Sequence, residues 1–330
     1  MLAKLLAEGR PLLADGATGT NLFEVGLTAG ENPEEWNAIH PERIRALHQS
    51  FVDAGADIIL TNTFGANRRR LALHGLEDKA RKLARLAAAI AREVADGAGR
   101  PVVVAGSVGP TGDLLAPLGP LTEDEAVEVF AEQIEGLKEG GADVAWIETM
   151  SAPEEMRAAA RAAIQVGMPY TVTASFDTAG RTMMGVTPQD FAVAFDGLPV
   201  KPLAIGANCG VGASDLVVSV LGVTQARPET AVIAKANAGV PQWRGAHIHY
   251  SGSPELMSRY AALAVDAGAR IIGGCCGNTP AHVRAMREAL DAHARGPRPD
   301  AAAVIETLGP LASPPAAEAA PRRRRRSEGV

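Results

Sequence analysis

The chain has 330 residues, 47% hydrophobic and 21% charged, the balance of a soluble globular protein of one large domain or two small ones. Its net charge of −6 argues against nucleic acid as the main partner, and no stretch approaches the roughly 20 apolar residues of a membrane span. Met1–Arg10 lacks the apolar core and small-residue cleavage site of a secretory leader, so a cytoplasmic protein is expected.

Eight short apolar runs follow one another along the chain, at 11–15, 57–64, 102–108, 144–149, 170–176, 203–209, 232–237 and 271–276. Their spacing of roughly 30 to 40 residues is that of strand–helix units. Amphipathic helices lie between them. Ile39–Ala54 gathers Ile44, Leu47, Phe51 and Val52 near one face, and Lys79–Ala95 does the same with Leu83, Leu86, Ile90 and Val94. Thr122-Glu123-Asp124-Glu125 reads as a capping box before a helix to Lys138. Glycines in the turns at 54–57, 140–143 and 267–270 suit left-handed helix ends that feed the next strand. Aromatics are only 4% of the chain, so the core rests on aliphatic residues, as parallel strands under helices require.

Eight such units predict a (β/α)8 barrel over residues 1–295. An open doubly wound sheet is the competing arrangement, but the count closes a barrel and no dinucleotide fingerprint follows the first run. From Gly296 the composition turns to Pro, Ala and Arg, ending in Arg322–Arg326. Residues 296–330 are expected to form a disordered, solvated tail.

The three cysteines, two of them adjacent, are a poor disulfide framework. Cys209 ends the sixth run; Cys275 and Cys276 end the eighth. Barrel chemistry sits at the C-terminal ends of the strands, and every cysteine falls there. Three thiolates and one exchangeable position describe a catalytic zinc site. Three small buried hydrophobes or a redox pair would also account for the residues, and location favours the metal. Zinc ionises a bound thiol, so alkyl transfer to sulfur suits the set better than hydrolysis, which calls for His or carboxylate ligands and a general base.

Gly273-Gly274-Cys275-Cys276-Gly277, Asn208-Cys209-Gly210 and Asp15-Gly16-Ala17-Thr18-Gly19-Thr20 together resemble the homocysteine S-methyltransferase family. Thr61-Asn62-Thr63-Phe64, Gly106–Pro110 and Ile147-Glu148-Thr149 match as well, and the resemblance runs over roughly residues 10 to 292. It implies zinc on Cys209, Cys275 and Cys276 and homocysteine as the methyl acceptor, forming methionine. It further implies that Asp15, the amides of Gly16 and Ala17, Glu148 and Asn208 contact the amino-acid end of the substrate. The residues agree in part: carboxylates at the ends of the first and fourth strands suit an ammonium group. Read alone, Asp15 could equally be a turn residue and Glu148 half of an ion pair.

For the methyl donor the resemblance implies betaine, as in bacterial members of the family. Aromatic faces attract such onium cations, and Trp36, Phe64, Trp243 and Tyr250 are the candidates. The tyrosines that animal betaine enzymes carry after the second and fourth strands are replaced here by Gly65 and Thr149, and Ala236-Asn237-Ala238-Gly239-Val240-Pro241 looks closer to the homocysteine module of cobalamin-dependent methionine synthase. A split enzyme working with a cobalamin protein is therefore the second expectation. Dimethylsulfoniopropionate or S-methylmethionine as donor, a non-catalytic zinc barrel and assembly into homo-oligomers remain open alternatives.

Overall fold

The structure, a computed structural model, describes residues 1–244 and 247–314, without the side chains of 241–249. Its strands are β1 (Leu12–Leu13), β2 (Ile58–Leu60), β3 (Val103–Val108), β4 (Val144–Met150), β5 (Tyr170–Ala174), β6 (Ile205–Cys209), β7 (Val232–Ala236), β8 (Pro241–Arg244), β9 (His247–Tyr250) and β10 (Ile271–Gly274). Eight of them pair in parallel in the order β1-β10-β7-β6-β5-β4-β3-β2. A parallel bridge from Ala14 to Ile58 joins β1 to β2 and closes the cylinder. This is the (β/α)8 barrel that the eight apolar runs predicted, each run overlapping one barrel strand. The antiparallel hairpin β8–β9 was not foreseen; it lies between β7 and the helix Pro254–Asp266. Among the described residues, no helix is long and apolar enough to cross a membrane.

Side chains alternate along each barrel strand between the axis and the helices. The axis is filled by Leu12, Ile58, Val103, Val144, Ile233 and Ile271, with Ala105 and Trp146 above them. Leu2 and Leu5 of the N-terminal helix Leu2–Ala7 join this cluster and plug the end of the barrel where the strands begin. The next inward layer, at the strand C-termini, is polar and holds Ser107, Glu148, Asn208 and Lys235, all buried. So the barrel axis is apolar below, and the buried polar groups are gathered at its mouth.

Helix ends set the register of the strands. Gly55, Gly141 and Gly268 have φ of 98°, 93° and 103°. Each lets the following N–H reach back across the turn: Ala56 to Phe51 O at 3.0 Å, Ala142 to Leu137 O at 3.0 Å, and Ala269 to Ala264 O at 2.9 Å. Asp57 and Asp143 then accept N–H bonds at 2.9 Å from Leu13 and Val104 of the neighbouring strands. The Thr122–Glu125 capping box forms as predicted at the start of the helix Glu123–Glu139.

The tail differs from expectation between 296 and 314. Asp300 caps a helix at Ala301–Leu308 whose Val304 is fully buried, and Asp215 accepts the N–H groups of Ala312 and Ser313 at 2.9 and 2.8 Å. One apolar turn and a side-chain cap suffice to dock a segment that composition alone assigns to solvent. The arginine run 322–326 lies outside the described residues.

Because Leu5 seals the bottom layer, Leu5→Ala leaves a cavity under the barrel. It should lower stability by about 3 kcal/mol in urea unfolding while the protein still folds.

A three-cysteine candidate metal centre at the barrel mouth

Cys209, Cys275 and Cys276 converge at the C-terminal mouth, their sulfur atoms all within 4.8 Å of one another. All three are free thiols. A tetrahedral zinc ion with Zn–S bonds of about 2.3 Å places its sulfurs roughly 3.8 Å apart, so the cluster needs only small side-chain shifts to close on an ion.

Adjacent residues on a regular strand point to opposite faces, so the Cys275–Cys276 pair requires a bend. Strand β10 ends at Gly274. Cys275 makes one last ladder bond, N–H to Ala236 O at 2.7 Å, and the chain then turns, with Asn278 N–H donating to Cys275 O at 3.2 Å. Gly277 sits in this turn at φ 79°, and a Cβ there would lie 2.4 Å from Tyr250. The position is therefore closed to any other residue on both conformational and steric grounds. Across the mouth, Cys209 itself adopts φ 63°, costly for a non-glycine residue, followed by Gly210 at 74°.

Asn237, just past β7, ties the two cysteine segments together. Its Nδ2 donates to Gly210 O at 2.7 Å and its Oδ1 accepts from Cys276 N–H at 3.0 Å. Asn208 performs the same service one strand away. Its Oδ1 accepts from Thr149 N–H at 2.8 Å and from Thr173 Oγ1 at 2.6 Å; its Nδ2 donates to Thr149 Oγ1 at 2.7 Å and approaches Cys275 Sγ at 3.9 Å. Thr149 holds a positive φ of 60° at the irregularity that ends β4, so Asn208 fixes the backbone that carries Glu148.

As thiols, the cluster concentrates its negative charge on Cys276. Hydrogen bonds from Cys209 and Cys275 pull that group down to about 3, with a further contribution from the Tyr250 hydroxyl. Cys209 is raised well above the ordinary thiol range by its bonds to the other two sulfurs and by burial. For Cys275 the bond from Cys209 acts downward, but its own bond to Cys276 and its burial outweigh it and push it up to about 12. Two thiols donating to one thiolate is an electron-rich set suited to a divalent cation.

Below the sulfurs lies a buried charge cluster. Lys235 Nζ donates to Asp15 Oδ1 at 2.9 Å, and Leu60 N–H donates to Asp15 Oδ2 at 2.7 Å. Burial works against the Lys235 ammonium, but the carboxylates of Asp15 and Glu148 outweigh it and raise its pKa. Glu148 Oε1 accepts from Ser107 Oγ at 2.5 Å. Among the described residues its Oε2 has no partner. Burial pushes Glu148 up to about 7, against the opposing pull of Lys235.

The structure thus brings together every residue predicted for the site but uses some differently. Asp15, Ala17 and Asn208, expected at the substrate, have these polar groups engaged within the protein; the Ala17 amide donates to Asn278 O at 3.0 Å. Among the described residues, Gly16 N–H and Glu148 Oε2 are the groups without a hydrogen-bond partner. Lys235 and Asn237 were missed as site residues, although a single lysine in the apolar run 232–237 was a visible signal. Of the aromatic candidates, Trp36 is buried and already carries the Arg43 guanidinium 4.9 Å from its ring centroid. Phe64 is 39% exposed and Tyr250 borders Cys276, while the side chain of Trp243 lies outside the described residues.

Residues 12–290 match the family described as homocysteine S-methyltransferase. The chain is 32% identical over 305 residues to the methionine synthase of Mycobacterium leprae, and 32% identical over 297 residues to that of Mycobacterium tuberculosis. These alignments cover 88% and 85% of this chain but only 25% of either relative, so the chain spans about a quarter of their length. Among solved structures, the metallated form of the homocysteine methyltransferase MmuM from Escherichia coli superimposes with a TM-score of 0.71 at 26% identity, covering 87% of this chain and 99% of that one.

Two outcomes follow from this geometry. Asn237→Ala frees both cysteine segments and should weaken zinc binding about 10- to 100-fold in chelator competition, with circular dichroism unchanged. Glu148, whose pKa is raised in the folded state, favours folding below its unfolded value near 4.5 and loses that contribution as pH climbs through about 7. Glu148→Gln should therefore gain stability relative to the parent between pH 5 and 8, on the order of 1–3 kcal/mol in paired unfolding curves.

Proposed function

Because the chain belongs to the homocysteine S-methyltransferase family, we propose that it forms methionine by methyl transfer to the sulfur of homocysteine at a zinc ion held by Cys209, Cys275 and Cys276. The observation that carries this reading is the convergence of the three sulfurs above an open carboxylate oxygen of Glu148. Zinc, when bound, keeps a coordinated thiol ionised at neutral pH and leaves one position for substrate.

The protein groups do the rest. Glu148 receives the substrate ammonium, its Oε1 oriented by Ser107 and its backbone by Asn208. Gly16 N–H donates to the substrate carboxylate. Asn237 keeps the cysteine segments at a fixed spacing, so little reorganisation accompanies binding. The acceptor sulfur attacks the donor methyl carbon. One S–C bond forms, the bond from methyl to the donor heteroatom breaks, and its electron pair leaves with that atom. The apolar layer beneath lowers the local dielectric under the site.

Betaine is the donor we assign, with dimethylglycine as the co-product. Phe64 at the rim and Tyr250 beside Cys276 are the aromatic faces available to its cation. The tyrosine of the animal enzymes is absent at Gly65, where a Cβ would stand 2.9 Å from Glu34 Oε1 and would require that carboxylate to move. A second reading is favoured by the match to one quarter of two methionine synthases, namely a homocysteine module that takes its methyl from a separate cobalamin protein.

Purified zinc-loaded protein with homocysteine should yield methionine with betaine alone. Methionine appearing only when methylcobalamin is supplied would establish the second reading. No product with betaine, dimethylsulfoniopropionate, S-methylmethionine or methylcobalamin would defeat both. Homocysteine should raise the zinc ligand count from three sulfurs to four in X-ray absorption, and Cys276→Ala should lose both zinc and turnover.

A further inference from the structure

Lys235 has no part in the reaction as described, yet it is built into the mouth with care. Its side chain is 2% exposed, its ammonium reaches Asp15 Oδ1 at 2.9 Å and stands 5.9 Å from the Trp146 ring centroid. Its stem runs against Gly273 of β10, the residue paired with it in register; a Cβ at Gly273 would meet Lys235 Cγ at 3.2 Å and Ala14 Cβ at 2.9 Å. A glycine on the neighbouring strand thus provides the slot in which the lysine lies.

The consequence falls on Asp15. This carboxylate is 1% exposed, with Lys235 on one oxygen and Leu60 N–H on the other. A buried carboxylate so engaged has little reason to exchange an internal ammonium for an incoming one. Glu148 differs: Ser107 takes one oxygen and the second is open. With Glu148 ionised, Asp15, Glu148 and Lys235 together carry one net negative charge, which a single substrate ammonium neutralises.

Resting on the reading of this mouth as a homocysteine site, we propose that Lys235 is a positioning and specificity residue: it consumes the charge of Asp15 internally, so that the acceptor's ammonium is received by Glu148 alone. Homocysteine is then recognised through one ammonium–carboxylate contact, and the discrimination against thiols lacking an amino group resides in Glu148.

The test compares two ligands of the zinc-loaded full chain by titration calorimetry: homocysteine, and 4-sulfanylbutanoate, the same thiol acid without the amino group. The parent should prefer homocysteine, and Glu148→Gln should reduce that preference about 30-fold or more. The double variant Asp15→Asn/Lys235→Met removes the internal pair with its charges balanced, and should keep the preference within about threefold of the parent. Loss of preference in the double variant equal to that in Glu148→Gln would overturn the proposal by placing Asp15 on the substrate. Lys235→Met alone offers a second route. It frees Asp15 to share the ammonium and should raise the preference about 10-fold, whereas a parallel decline for both ligands would reduce Lys235 to a structural role and overturn the assignment. A parent that binds neither thiol would remove the acceptor reading itself, and the proposal with it.

Discussion

Strand β7 is the element on which the mouth of this barrel depends. It lies between β6 and β10, and so fixes the separation of Cys209 from Cys275 and Cys276. Its ladder bonds to both neighbours carry the strands upward in parallel, and Ala236 O takes the last of them from Cys275. One residue further on, Asn237 bonds Gly210 on one side and Cys276 on the other. The strained φ of Cys209 is held by these contacts, because the turn that carries it is tied on both sides. A loop-borne thiol would sample many positions; three thiols carried at the ends of two strands that flank a third in a closed sheet do not.

Much of this was legible in the sequence for a physical reason. A parallel barrel strand is buried on both faces, so it appears as an uninterrupted apolar run, and eight such runs can be counted without knowing how they pair. The cysteines could be placed at the mouth because they end their runs. Pairing partners were not legible. Whether Asp15 faces a substrate or a lysine depends on which strands the barrel brings opposite one another, and the two residues lie 220 positions apart. The helix Ala301–Leu308 was obscured by the Pro- and Arg-rich residues around it, and the hairpin β8–β9 by its place among the strand-to-helix connections, where length and shape vary most freely. The resemblance to a known family pointed to the three cysteines as metal ligands and to Asn208 as a substrate contact. In the structure the Asn208 amide bonds Thr149 and Thr173 and holds the strand end that carries Glu148.

The layering of the barrel joins these observations. Below the plane of Trp146 the axis is aliphatic and closed from beneath by Leu2 and Leu5. Directly above it the chain buries two carboxylates and one ammonium, and above those three sulfurs. Isolated charges at such depth are expensive, and the arrangement offsets the expense by pairing Asp15 with Lys235 and bonding Glu148 to Ser107. What is left over, among the described residues, is one oxygen of the Glu148 carboxyl, a group whose pKa is raised by its burial. A cation bound beside that oxygen favours its ionised form, so under the proposed reading the arrival of a substrate ammonium and the ionisation of Glu148 are coupled. Under that reading, the same low-dielectric surroundings strengthen the single ammonium–carboxylate contact by which an amino-acid thiol would be selected.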